Sequence, residues 1–182
     1  MKKVYVFLAN GFEEIEAVAP IDVLRRAEIE AITISISDSK TVTGAHGVQV
    51  LADQLFTETE FADDAYYVLP GGYDGMLNLE AHKGVNELLT KQHEAGKQIA
   101  AICAAPSVLG KLGILEGKEA ICYPGFEENL SGATISAKPV VEDGNVITGK
   151  GPGVAVDFAL QIVTTLKGKE LADKIAGDMM IP

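Results

Sequence analysis

Four apolar runs of strand length, separated by stretches with helical periodicity, constrain the fold of this chain most tightly. They are Lys3 to Ala9, Ala31 to Ser37, Ala65 to Leu69 and Gln98 to Ile102. Each is nearly continuous rather than alternating, as expected of strands covered on both sides. Between them lie amphipathic stretches, Glu13 to Ala27 and His82 to Ala95. Late in the chain a third, Gly153 to Leu166, follows a hairpin pattern over Lys138 to Thr148, which turns at Asp143-Gly144-Asn145. Strand–helix alternation predicts an α/β protein with a mostly parallel open sheet and helices on both faces. A second short hairpin is expected over Val42 to Val50, and a short strand over Glu119 to Tyr123.

In the first helix, Ile15, Val18, Ile21, Val23 and Leu24 read as most of an apolar stripe, with Pro20 expected to kink it. The length, 182 residues, suits one domain spanning 1–182, without repeats, linkers or low-complexity segments. Formal net charge is −11, with no basic cluster, which argues against nucleic-acid and anionic-membrane partners. No apolar run reaches transmembrane length, and Met1-Lys2-Lys3 leads straight into a strand without a cleavage signal. A cytoplasmic location is expected. The two cysteines, Cys103 and Cys122, are expected to be free thiols, with Cys122 packed inside a strand.

In an open parallel sheet, ligands sit beyond the carboxyl ends of the strands. Three features fall at such ends: Gly11 to Glu16, Pro70 to Tyr73, and Cys103 to Pro106. The last has the outline of a strand–turn–helix elbow, which lifts one side chain above the sheet. Small residues let the backbone turn, and Pro106 suits the first turn of a helix. A cysteine at a helix N-terminus is expected to have a lowered pKa and nucleophilic character. Glu16 has two readings: a solvated partner of the helix dipole, or a buried, protonated carboxyl that donates to the Cys103 thiolate. Gly71-Gly72 is either a positive-φ turn or an amide aimed at a developing oxyanion. Gly151-Pro152-Gly153 either only opens the late helix or also allows close approach of a ligand.

His82 and His93 lie eleven residues apart on one helix, about 16 Å, too far to share a metal. Solvated positions are the default for both. His46, at the tip of the early hairpin, is placed to reach a neighbouring site or subunit. No metal and no cofactor is expected.

Together these pieces resemble the ThiJ/PfpI superfamily, in the branch of the human parkinsonism-associated protein deglycase and its bacterial relatives. The matching segments are Gly11-Phe12-Glu13-Glu14-Ile15-Glu16, Asp22 to Ala27, Val68-Leu69-Pro70-Gly71-Gly72, Ala100 to Pro106 and Gly151-Pro152-Gly153. The resemblance implies a flavodoxin-like, class I glutamine amidotransferase-like fold, with Cys103 as elbow nucleophile and Glu16 as the acid bonded to its sulfur. It implies oxyanion-binding amides at Gly72 and Ala104, and a homodimer. It also implies a choice of activities on a small carbonyl or a glycated protein or amino acid: conversion of methylglyoxal to lactate, deglycation, or redox-dependent chaperoning. Peptidase action belongs to the PfpI branch. One departure weakens the peptidase reading: Tyr123-Pro124 stands where many relatives carry His-Pro. Tyrosine cannot replace the His of a Cys–His dyad near neutral pH without a large pKa shift. Tyr123, His46, Gly151 and Pro152 are therefore expected to line the pocket. His46 also stands near a position where the human protein has an arginine.

Overall fold

The computed structural model describes residues 2–181. The strands are β1 (Lys3–Leu8), β2 (Ala31–Ser35), β3 (Thr41–Thr43), β4 (Gln49–Leu51), β5 (Gln54–Leu55), β6 (Ala65–Leu69), β7 (Ile99–Ile102), β8 (Glu119–Ala120), β9 (Thr134–Ile135), β10 (Val140–Asp143) and β11 (Val146–Gly149). The helices are α1 (Glu14–Arg26), α2 (Tyr73–Ala81), α3 (Lys83–Glu94), α4 (Pro106–Lys111), α5 (Ala155–Lys167) and α6 (Lys169–Asp178).

Seven strands form the main sheet in the order β10-β11-β7-β6-β1-β2-β5. All neighbours run parallel except β10 and β11. The apolar runs that suggested strands are buried throughout β2, β6 and β7, because helices cover them. Helices α1, α5 and α6 pack together as one layer, while α2 contacts α3 and α4 in another. The fold is the flavodoxin-like arrangement expected from the strand–helix alternation.

The sheet order decides where a site can form. From β1 the chain steps to β2 on one side, and later returns to place β6 on the other. This reversal opens a crevice at the carboxyl ends of β1 and β6. β7 lies next to β6, so the segments after β1, β6 and β7 adjoin.

Several boundaries differ from the sequence reading. Helix α1 runs through Pro20 to Arg26, with Ile21, Val23 and Leu24 buried, but Ile15 and Val18 are about half exposed. The buried stripe is narrower than the periodicity suggests: Ile15 and Val18 share the outward face of α1 with Asp22 and Arg25, opposite buried Ala17, Ile21 and Leu24. The helix expected after Cys103 is short, Pro106–Lys111, and its last residues give way to turns through Gly117. Pro106 does occupy its first turn. The strand expected at Glu119 to Tyr123 shrinks to two residues, and Cys122 is buried beyond its end, outside any strand. Helices α2 and α6 were not anticipated. Gly75 and Gly177 lower their apparent helical propensity, and tertiary packing overrides it.

Candidate functional site

Cys103 directly follows β7 and takes φ of 65°, one of three non-glycine residues in the left-handed region among those described. Such a backbone costs of the order of 1–3 kcal/mol and persists only where the surroundings impose it. Here they do so from both sides. The Cys103 N–H donates to the Gly149 carbonyl at 2.9 Å, and its own carbonyl accepts from Tyr123 N at 2.8 Å. The elbow thus joins β11 and the Tyr123 segment, and its side chain is 8% exposed. Both cysteines are free thiols.

Glu16 is fully buried, which removes the solvated reading. It lies in the first turn of α1, whose N-cap is Glu13: the Glu13 carboxylate accepts from Glu16 N at 2.8 Å. The Glu16 side chain turns inward, and its Oε2 accepts from Gly71 N at 2.9 Å. Oε1 meets no donor by distance and angle, and the carboxyl lies close enough to the Cys103 thiol for each to shift the other's pKa. Burial, opposed by the Cys103 and Gly71 hydrogen bonds, raises the Glu16 pKa to about 7.

The thiol departs from the sequence expectation. Burial first, then the charge of Glu16 and the hydrogen bond to it, push the Cys103 pKa up to about 12. The N–H groups of Gly72 and Ala104 face the sulfur and act in the opposite direction. The lowered pKa expected from a helix N-terminus fails for a geometric reason: α4 begins three residues after Cys103 and is only six residues long. Burial and the neighbouring Glu16 carboxylate together set the Cys103 pKa. With Glu16 charged, the sulfur keeps its proton; with Glu16 protonated, the charge opposing a thiolate is gone. The two groups titrate as one pair.

Gly71 and Gly72 both require the absence of a side chain. Gly72 has φ of 90°, and a β-carbon there would lie 2.3 Å from the Gly11 carbonyl. Gly71 is wedged between Glu16 and Cys103. The turn reading holds, and the same turn points Gly71 N at Glu16 and Gly72 N at the sulfur.

The three histidines fall elsewhere than expected. His46 pairs with Glu14 of its own chain: Nδ1 lies 2.8 Å from Oε2, and His46 N donates to Oε1 at 2.6 Å. This pairing raises the His46 pKa; desolvation opposes, but does not prevent, the lowering of Glu14 by the same bonds. His82 is only partly exposed. Its Nδ1 accepts Val85 N at the start of α3, and its ring meets Phe56 edge-on. His93 is also partly buried. Among the described residues, one group carries metal-ligating atoms close together, Glu13, Glu14 and His46. Their side chains are already engaged in the helix cap and the hairpin contact.

Tyr123, Gly151 and Pro152 do come together. With Pro124, Lys150, Gly153 and Val154 they line a pocket of about 340 Å³. Tyr123 is about half exposed, and its ring lies where a β-carbon on Gly151 would be 3.1 Å away. Phe126 bridges Tyr123 and Tyr73, at 6.5 and 6.2 Å between ring centroids. Tyr73 belongs to the strand-end feature Pro70 to Tyr73. Lys150, Val154 and Phe126 lie outside the expected site residues, and only Lys150 carries a signal, standing immediately before Gly-Pro-Gly near the end of the late hairpin.

Residues 2–165 match the DJ-1/PfpI family. The chain is 38% identical to Protein dj-1beta of Drosophila melanogaster, over 99% of this chain and 97% of that protein. It is 37% identical to Protein DJ-1 homolog B of Arabidopsis thaliana over 99% of its own length, but spans only 42% of that relative. Among solved structures, oxidized DJ-1 of Toxoplasma gondii superposes with a TM-score of 0.93 at 37% identity, covering 99% of this chain and 98% of the other.

Proposed function

Because the chain belongs to the DJ-1/PfpI family, we propose that it is a cysteine-dependent enzyme acting on small reactive carbonyls. Its reaction would be conversion of methylglyoxal to lactate, or removal of early glyoxal adducts from proteins or amino acids. The observation that carries this reading is the buried Glu16 carboxyl, poised near pH 7 against the Cys103 thiol. A group with its pKa near the working pH both accepts and returns a proton effectively.

The chemistry balances without a cofactor. Glu16 takes the S–H proton as sulfur attacks the aldehyde carbon, and the carbonyl electron pair moves to oxygen. That oxygen takes the proton back from Glu16, giving a hemithioacetal and freeing the carboxylate. The hydrogen on the former aldehyde carbon then leaves as a proton to Glu16 and returns to the neighbouring carbon, while the hydroxyl proton passes to the neighbouring oxygen. One carbon is oxidised and its neighbour reduced, leaving a thioester of a 2-hydroxy acid. Water cleaves the thioester, releasing lactate and restoring the thiol. The amides of Gly72 and Ala104 favour negative charge on the sulfur, and holding the oxyanion that forms on attack is part of the same proposal.

A lactate assay on methylglyoxal tests this. Cys103→Ala should abolish turnover, and Glu16→Gln should lower it by about 10²–10⁴-fold. Equal turnover in wild type and Cys103→Ala would sink the proposal.

A second reading, a redox-sensing chaperone, is favoured by the solved relative in oxidized form. The peptidase reading has less support, since all three histidines are engaged or placed away from Cys103. We also propose that the chain pairs with itself, through exposed Ile15 and Val18 of α1 and Val48 and Leu51 of the adjoining hairpin. Glu14 ties the hairpin to α1 through Val48 N and His46. Among the described residues no helix is long and apolar enough to cross a membrane.

A further inference from the structure

We propose that the pocket beside Cys103 selects α-oxoaldehydes whose substituent is flat, apolar and ends in an anion, in preference to methylglyoxal. The inference rests on the carbonyl chemistry proposed above and names the substrate class of that same site.

The pocket is walled by the two segments that hold the Cys103 backbone. Tyr123 donates to the Cys103 carbonyl, and Lys150 follows Gly149, whose carbonyl accepts from Cys103 N. The pocket walls are thus one hydrogen bond away from the Cys103 main chain, and we take the sulfur to open onto this space. At about 340 Å³ the pocket is larger than a three-carbon oxoaldehyde needs. Its walls are the Tyr123 ring, Pro124, Pro152 and Val154, with Gly151 and Gly153 contributing backbone only. Tyrosine in place of histidine turns this wall from a titratable group into an aromatic face, and flat rings pack well on such faces.

Lys150 supplies the charge. It is exposed, stands on the pocket rim, and has no ion-pair partner among the described residues, although the chain carries a net charge of −11. An unpaired ammonium above an apolar slot fits a carboxylate at the far end of a planar group.

Turnover of methylglyoxal, phenylglyoxal and 4-carboxyphenylglyoxal by the full chain, read as formation of each 2-hydroxy acid, tests this. Phenylglyoxal should exceed methylglyoxal in kcat/KM by at least about tenfold, as expected from the added apolar contact. The carboxylated compound should gain a further factor of about 2–5 over phenylglyoxal. Lys150→Gln should erase that second factor. A β-carbon on Gly153 meets nothing within 4 Å, so Gly153→Leu should fill the slot without disturbing the backbone and erase the first. Equal kcat/KM for phenylglyoxal and methylglyoxal overturns the inference and leaves the carbonyl chemistry standing. If no oxoaldehyde is turned over, the chemistry fails, and protection of Cys103 from iodoacetamide decides the pocket alone. Stronger protection by 4-carboxymandelate than by lactate, lost in Lys150→Gln, supports the slot; equal protection overturns it.

Discussion

Gly71 constrains Glu16 in two ways at once: its N–H donates to Oε2 at 2.9 Å, and a β-carbon on it would stand 2.5 Å from that same oxygen. The missing side chain lets the carboxyl approach the backbone closely enough to be held. Cys103 Cβ would lie 2.6 Å from the same added carbon, and the Ile102 carbonyl 2.8 Å. Gly71→Ala should therefore displace the acid from the thiol. Overpacking of this kind costs about 1–3 kcal/mol. Urea denaturation should show a loss in that range, with lactate formation falling much further than the folded fraction explains. An alanine variant as active as wild type would show that the contact between Glu16 and Cys103 is dispensable.

Burial of Glu16 has a direct consequence for stability. Its folded pKa of about 7 lies above its ordinary value of 4.5, so between these two the folded state binds more protons than the unfolded one. Stability then falls as pH rises through this window, and the loss is complete above pH 7. The penalty amounts to about 3 kcal/mol. Relative to wild type, Glu16→Gln should gain stability progressively from pH 4.5 to pH 8, because it has no charge to bury. Unfolding free energies measured across that range check the trend, whatever the constant offset between the two proteins. Parallel pH curves would mean that Glu16 is not buried in its neutral form.

The two cysteines should behave differently although burial raises both, to about 12. Cys103 has a hydrogen-bonded acid, Glu16, to take up its proton and two amides facing its sulfur, whereas Cys122 meets one amide, that of Phe126, and feels Glu127 only through its charge. Mild peroxide followed by intact-mass and peptide analysis should place added oxygen on Cys103. Alkylation of Cys103 should follow a pH profile inflecting near 7, and Glu16→Gln should remove that inflection. Preferential reaction at Cys122 would contradict the assignment.

Self-association should depend on the outer face of α1. Ile15 is 54% exposed and Val18 46%, more apolar surface than a solvated helix turn ordinarily shows next to a similarly exposed hairpin. Light scattering should give twice the chain mass for the wild type, and the chain mass for Ile15→Glu combined with Val18→Glu. Both residues face outward, so the double variant should keep its helix content and unfold cooperatively. A wild-type protein that is monomeric at micromolar concentration would rule out the dimer.

Much of the site was legible because its parts obey local rules. An apolar strand followed by Cys103, two alanines and Pro106 fixes an elbow through backbone sterics alone. Pro70-Gly71-Gly72 marks a turn by the same logic, and Lys138 to Thr148 reads as a hairpin from its Asp-Gly-Asn turn. The alternation of apolar runs and amphipathic stretches was enough to determine the α/β class.

Only the tertiary structure decided what those residues do to one another. Glu13, Glu14 and Glu16 look equivalent along the chain, yet one caps a helix, one holds a hairpin and one is buried against a thiol. Strand order makes the difference, since β1, β6 and β7 are neighbours in the sheet but far apart in sequence. The pKa of Cys103 follows the same rule: local sequence shows the turn that follows the thiol, but neither its burial nor the carboxyl that α1 brings beside it. Hydrophobic periodicity is a property of short segments, whereas desolvation and charge at a site depend on what long-range packing brings within a few ångströms.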